Sequence, residues 1–306
     1  MDKPQISLII PSFNTREILK NNLESLFKIN CRFLFEVIVV ENGSKDSSAK
    51  MVREEFPQVH LIQNDWNSGF AHAVNQGLRA AQGEALILLN ADMVVKEETL
   101  EKVFEILTTR PEIGVLGVKL LKEDPSTLQQ IQGRIERSRN ATGSGQADSI
   151  LFSVRRDPDF WSQLAILFKL PHFFPKITDR YLCKDFDYQK SAEVEQVRGS
   201  FFAFRRDVFD KVGFLDEKNF FFWFEEVDFC RRVRQTGYKI WYEAEISCVD
   251  LLGRSIQQFS LGKKQAIFFR SLTNYFFKWH AWWQGAVFFL LRFPLVALAY
   301  LVDFFL

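Results

Sequence analysis

Short apolar runs alternate with polar turns and amphipathic stretches over the first ~120 residues, the length of an ordinary small domain. Ile6-Ser-Leu-Ile-Ile10 reads as a strand, stopped by Pro11-Ser-Phe-Asn14. The spacing of Ile18, Leu19, Leu23, Leu26 and Phe27 predicts a helix over 15–27. Further strands are predicted over 35–40, 60–63 and 84–89, and helices over 47–55, 70–81 and 96–107. Strands and helices alternating at this pitch predict an α/β fold with a mostly parallel, doubly wound sheet. Downstream, the pattern predicts a strand over 197–204, helices over 207–212 and 225–236, and a strand over 239–242. Residues 123–150 are polar and glycine-rich and read as a mobile lid or a linker; 151–190 are aromatic-rich and carry no clear period.

Each early strand runs into polar groups. Pro11, Ser12 and Asn14 follow the first, Glu41, Asn42, Ser44 and Asp46 the second, Asn67, Gly69 and Asn75 the third, and Asn90, Ala91 and Asp92 the fourth. In a parallel sheet these turns converge on one edge, where ligands of open α/β sheets sit. A carboxylate at the tip of a buried strand is costly unless something pairs with it. Asn90-Ala91-Asp92 therefore suits a divalent cation carrying a diphosphate, since hard cations take oxygen ligands. The competing reading is an Asx turn capping the next helix. Glu41 is placed to accept from a base or ribose, and Gly69 to admit close backbone approach.

The last segment differs. Residues 281–306 are almost wholly apolar, broken by Gln284, Arg292, Pro294 and Asp303, and are long enough to span a bilayer. Arg292 near the middle opposes a span. Basic and aromatic residues interleave just before it (Lys263, Lys264, Phe268, Phe269, Arg270, Phe277, Lys278), a pattern that favours a cytoplasmic membrane surface. A buried core helix or a dimerisation helix is the alternative. Composition narrows the rest. At 306 residues with 47% hydrophobic and 25% charged, the chain holds one large α/β domain or two smaller ones. A net charge of +1 without an early basic stripe argues against nucleic-acid binding. Four cysteines far apart (Cys31, Cys183, Cys230, Cys248) favour a reduced, cytoplasmic setting over disulfides or zinc. The early start of the first strand leads us to expect no signal peptide.

Taken together the motifs resemble inverting family-2 glycosyltransferases of the GT-A fold, in the rhamnosyltransferase-like branch. The matching stretches are Ser7-Leu-Ile-Ile-Pro-Ser-Phe-Asn14, Val37-Ile-Val-Val-Glu-Asn-Gly-Ser44, Asn67-Ser-Gly-Phe70 through Gly77, and Leu88-Leu-Asn-Ala-Asp92. Arg198-Gly-Ser-Phe-Phe-Ala-Phe-Arg-Arg206, Val212-Gly-Phe-Leu-Asp216, Phe222-Trp-Phe-Glu-Glu-Val-Asp228 through Arg232, and Gly237-Tyr-Lys-Ile-Trp241 continue the series. The likeness covers roughly residues 4–255 and does not extend well into the apolar tail.

The resemblance implies a GT-A domain over 1–255, with a nucleotide-binding half to about 120 and an acceptor and catalytic half over 195–255; 256–306 would be membrane-associating helices. It implies Pro11, Ser12, Asn14, Glu41, Asn67, Gly69, Asn75, Asn90, Ala91 and Asp92 as nucleotide-sugar contacts, and Glu226 as general base. Mg²⁺ or Mn²⁺ would be held by Asp92 with Asp250. Trp223, Glu225, Asp228 and Arg232 would serve the acceptor or support the helix, with Asp228 and Arg232 placed for a plain i,i+4 pair. Three positions depart from the family pattern: Glu41 and Glu226 stand where Asp is usual, and Asp250 where a histidine is common. The implied activity is transfer of a sugar, from dTDP-rhamnose or a UDP-hexose, to a saccharide or lipid-linked saccharide in cell-surface polysaccharide synthesis. A catalytically degenerate, membrane-bound partner of another transferase is the alternative, and a nucleotidyltransferase a weaker one, since no early basic phosphate loop is present. A homo-oligomer stays open.

Overall fold

The computed structural model describes residues 3–122, 150–251 and 258–305. Strands β1 (Ile6–Ser12), β2 (Phe35–Asn42), β3 (His60–Asn64) and β4 (Ala85–Leu89) pair in parallel in the order β3-β2-β1-β4. Helices α1 (Arg16–Phe27), α2 (Ser48–Glu55) and α3 (Phe70–Ala80) connect them. Side chains of β1 alternate between the two faces. Ile6, Leu8 and Ile10 pack with Leu19 and Leu23 of α1, whereas Ile9 packs with Ala71, Val74 and Leu78 of α3. Burial on both faces explains why β1, β2 and β4 are largely apolar; β3, at the sheet edge, is part-exposed and mixed.

Beyond β4 the sheet becomes mixed. After β5 (Met93–Val95) and α4 (Thr99–Thr109) comes β6 (Ile113–Lys122). Then follow β7 (Val154–Arg155), α5 (Phe160–Leu167), the short α6 (Asp179–Leu182), β8 (Ala192–Val194), β9 (Gln196–Val197), β10 (Phe201–Arg205), α7 (Arg206–Val212), α8 (Glu225–Gln235) and β11 (Lys239–Asp250). β10 lies antiparallel between β4 and β6, giving the full order β3-β2-β1-β4-β10-β6-β11-β5 with β8 also on β11. The mostly parallel α/β sheet is therefore as expected. The strand anticipated over 197–204 is split, because Arg198-Gly-Ser200 turns out of the ladder between β9 and β10. The final strand is longer than anticipated, ending at Asp250 rather than at Tyr242. The polar stretch read as a lid or linker lies outside the described residues apart from Ile150.

Two long helices close the chain, α9 (Leu261–Trp279) and α10 (Trp282–Phe305). They pack as an antiparallel hairpin: Asp303 near the end of α10 accepts from the backbone N–H groups of Leu261 and Gly262 at the start of α9. Contacts cross the boundary drawn at residue 255. Leu272, Tyr275 and Phe276 of α9 share one apolar cluster with Phe220, Phe224 and Val227. Ser271 Oγ donates to the Phe222 carbonyl at 2.8 Å, and Asn274 Nδ2 to the Asn219 carbonyl at 2.8 Å. By contrast, α10 turns Trp282, Leu290, Phe293, Leu298, Leu301, Phe304 and Phe305 to the surface. It is the one helix among the described residues long and apolar enough to cross a membrane, and only 17% of its most apolar window is buried.

Candidate active site

The tip of β4 sits at the junction of three strands. Met93 N–H bonds to the Asn90 carbonyl (3.1 Å), closing the Asn90–Asp92 turn. Asn90 N–H reaches the Ser200 carbonyl at 3.0 Å and the Asp92 carbonyl accepts from Leu251 N–H at 2.9 Å. The turn is thus fastened to the start of β10 and the end of β11. That fastening brings Asp250 beside Asp92; the two residues are 1% and 4% exposed. Both line a cavity of about 200 Å³ together with Pro11, Ser12, Asn67, Asn90, Ala91, Arg198, Trp223, Glu225 and Glu226. Residues far apart in the chain, from 11 to 250, meet there.

The two acids of α8 enter this cavity through an unusual turn. Trp223 and Phe224 both have left-handed backbone, φ +66° and +71°. Such residues cost on the order of 1–3 kcal/mol each unless their surroundings enforce them. Here Phe224 packs on Phe268 and Tyr275 of α9, Trp223 on Phe222 and Phe268, and Ser271 holds the Phe222 carbonyl. The helix then starts at Glu225, so the acids sit at its N-terminus, where the dipole favours negative charge. Burial nevertheless raises the Glu226 carboxyl; the helix-start N–H groups and the Arg198 and Arg155 cations pull the other way. Glu225 is raised further, by burial and by repulsion from Glu226. Glu225 Oε2 and Glu226 Oε2 are buried with no hydrogen-bond partner among the described residues. The Arg198–Ser200 turn packs against this pair: a Cβ on Gly199 would sit 3.5 Å from Glu226 Cβ, and Arg198 Nη1 lies 3.8 Å from Asp250 Oδ2.

Several residues expected to contact the nucleotide are held by hydrogen bonds within the protein. Glu41 is 1% exposed, accepts from Ser44 N–H at 2.6 Å and lies outside the cavity lining. Asn14 joins the first two turns, its backbone N–H donating to Ser44 Oγ and its Oδ1 accepting from Lys45 N–H. Asn75 is fully buried and clamps Leu215 through both backbone groups, donating also to Glu217. The close approach that Gly69 permits is by Phe221: at φ +94°, a Cβ there would stand 2.6 Å from the Phe221 ring. Asp228 and Arg232 form the i,i+4 pair at 2.8 Å. Arg232 also donates to the Val212 and Phe214 carbonyls, and Asp228 accepts from Trp279 Nε1. Both support the helix.

Asn42 and Arg198 are among the cavity residues that the sequence left unassigned. Asn42 accepts from Ser68 N–H and donates to Asn67 Oδ1 and the Gly69 carbonyl, so it shapes the loop that walls the cavity. Arg198 lies in a recognised motif, but nothing in its spacing revealed that its side chain would reach Asp250 and share the cavity with Glu226.

Comparison with known proteins agrees with this architecture. The chain is 27% identical over 204 residues to the poly-beta-1,6-N-acetyl-D-glucosamine synthase of Staphylococcus epidermidis, covering 58% of this chain and 49% of that protein. It is 35% identical over 115 residues to the uncharacterized glycosyltransferase YfnE of Bacillus subtilis, covering 37% of this chain and 29% of that one. The chain therefore spans less than half the length of these relatives. Among solved structures it resembles the mannosyltransferase PcManGT of Pyrobaculum calidifontis in complex with GDP-Man and Mn²⁺. The TM-score is 0.57 at 18% identity over 98% of this chain and 74% of the other, which establishes a shared GT-A-like fold. Residues 7–213 match the model of the glycosyl transferase family 2, and the chain belongs to that family.

Proposed function

We propose that the chain is an inverting glycosyltransferase that moves a sugar from a nucleoside-diphosphate sugar to a saccharide or lipid-linked saccharide hydroxyl. The observation that carries this is the convergence of Asp92, Asp250 and Glu226 on one cavity. Glu226 takes the proton of the acceptor hydroxyl. The new bond forms between that oxygen and the anomeric carbon, and the bond from that carbon to the diphosphate breaks, its electron pair leaving with the diphosphate. A base positioned in this way is typically worth ~10²–10⁴-fold. Burial raises its carboxyl, which strengthens it as a base, and the Arg198 and Arg155 cations oppose that shift.

No three His, Cys, Asp or Glu side chains cluster as a complete metal site among the described residues. Two neighbouring buried carboxylates, Asp92 and Asp250, are nevertheless suitable oxygen donors for Mg²⁺ or Mn²⁺, with a diphosphate completing the set. Bound there, the cation would supply charge neutralisation for the leaving group. The Leu-Asn-Ala-Asp form favours a dTDP-linked deoxysugar, with a UDP- or GDP-hexose as competitor. The exposed apolar face of α10 fits the cytoplasmic surface of a membrane, and the relative from S. epidermidis makes surface polysaccharide a natural product class. Donor hydrolysis and transfer across UDP-, GDP- and dTDP-sugars test the reading. Loss of transfer in both Asp92→Ala and Glu226→Gln supports it, and full activity in either removes it.

A further inference from the structure

Helix α10 has 24 residues and is about 36 Å long, so as a span it would carry one end across a ~30 Å hydrocarbon layer and away from the domain. Both of its ends are instead held at the domain. Near its start, Trp283 and Phe288 meet Phe160 of α5 at ring separations of 5.1 and 5.4 Å, and Phe288 is buried in one cluster with Phe220 and Phe224. Near its end, Tyr300 lies tight over Gly262, and Asp303 accepts from Leu261 and Gly262 N–H at 2.8 and 2.7 Å. Just ahead of that anchor, Gln258 donates to the Phe13 and Asn14 carbonyls that follow β1. The hairpin therefore lies along the domain. The outer face of α10 presents Leu290, Phe293, Leu298, Leu301 and Phe304 over most of its length. A second exposed apolar set adjoins its start: Trp161 packs on Phe160 at 5.1 Å, and the turn after α5 adds Phe168, Phe173 and Phe174.

Charge decides what covers these faces. Lys263, Lys264, Arg270 and Arg292 stand in the hairpin, whose one acid, Asp303, is engaged at the start of α9. Residues 160–178 hold Lys169 and Lys176 and no acid. A second copy would bring cations to cations, whereas anionic headgroups match them, and exposed tryptophans suit the headgroup level. We infer that the chain docks on an anionic lipid surface with α10 lying in the plane of the headgroups and the turn after α5 as a second contact. The inference rests on the membrane reading above and adds how the helix meets the bilayer.

The test is flotation of the purified chain with phosphatidylcholine vesicles, with and without phosphatidylglycerol. Depth is read from nitroxides on Leu290→Cys, Leu298→Cys and Phe304→Cys, each in a chain that also carries Cys31→Ser and Cys183→Ser. Binding is expected to be at least tenfold tighter to the anionic vesicles, with all three labels at one shallow depth of ~5–10 Å. Lys169→Glu combined with Lys176→Glu, both at exposed positions, is expected to weaken binding severalfold. Unchanged binding in that variant overturns the second contact. Label depths spread over about 20 Å between positions 290 and 304, as a span requires, overturn the in-plane placement and leave the membrane reading standing. Binding to no vesicle overturns both. A dimer in light scattering whose contacts immobilise the three labels assigns the face to a second copy and overturns the inference too. Transfer to a soluble saccharide, measured without vesicles, reports on the transferase reading separately.

Discussion

The cavity has two walls, and they are held in place by different physics. One wall, the turns after β1 to β4, is a hydrogen-bonded web: Asn14 to Ser44 and Lys45, Asn42 to Asn67, Ser68 and Gly69, and Asn90 to Ser200. The other, the Trp223–Glu226 turn, is strained backbone pressed into shape by aromatic packing from α9. A web of polar contacts is legible one turn at a time. A turn enforced from a helix some fifty residues later is not. The first wall should therefore yield in small steps when single residues change, and the second should fail as a unit.

The largest expected effect is chemical. Glu226→Gln should lower transfer by ~10²–10⁴-fold with nucleotide affinity unchanged, measured by product formation and by titration. A parallel loss of nucleotide binding would mean that the second wall also holds the donor. Next comes the packing that enforces the turn. Phe276 is fully buried in the cluster that also holds Phe224 and Val227, so Phe276→Ala should destabilise the chain by ~3–5 kcal/mol in denaturant unfolding. In what remains folded, transfer should fall more than nucleotide binding; equal losses would show that α9 supports both walls alike.

Asn42→Ala probes the web. Losing the hydrogen bond to Ser68 N–H in this part-buried loop should cost ~0.5–1.5 kcal/mol and weaken nucleotide binding, with the acid pair undisturbed. Nucleotide binding as in the wild type would show that the loop does not touch the donor.

The smallest effect concerns pH. Burial and repulsion from Glu226 raise the Glu225 carboxyl, so folding favours its protonated form. Its charge therefore opposes folding at neutral pH, and the opposition fades as pH falls toward the ordinary glutamate value of ~4.3. Glu225→Gln should raise the unfolding midpoint at neutral pH, with the gain vanishing near that acid limit. A midpoint lowered at neutral pH would mean that the charged Glu225 is favourably paired.

How much the sequence disclosed follows the same division. Strands β1, β2 and β4 announced themselves because each is a largely apolar run ending in polar residues, and Asp92 and Glu226 stood where family motifs put them. Met93–Val95 and Ile113–Lys122 did not: the first is three residues long, and the second carries glycines at 114 and 117 that break its apolar run. Asp159, whose carboxylate caps α5 through Ser162 N–H, was the one usable signal in the aromatic stretch, and it went unread. Glu41 and Asn75 show a deeper limit. A polar residue after a strand signals a turn, but spacing cannot tell which groups its side chain meets; here Glu41 accepts from Ser44 N–H and Asn75 donates to the Leu215 carbonyl.

The most direct test of a diphosphate held beside Asp92 is calorimetric titration of UDP, GDP and dTDP into the wild-type chain and into Asp92→Ala, each with and without Mn²⁺. At least one nucleotide is expected to bind the wild type only when Mn²⁺ is present, and Asp92→Ala to abolish that binding. Nucleotide binding indifferent to both the metal and Asp92 would contradict a diphosphate held there through a cation.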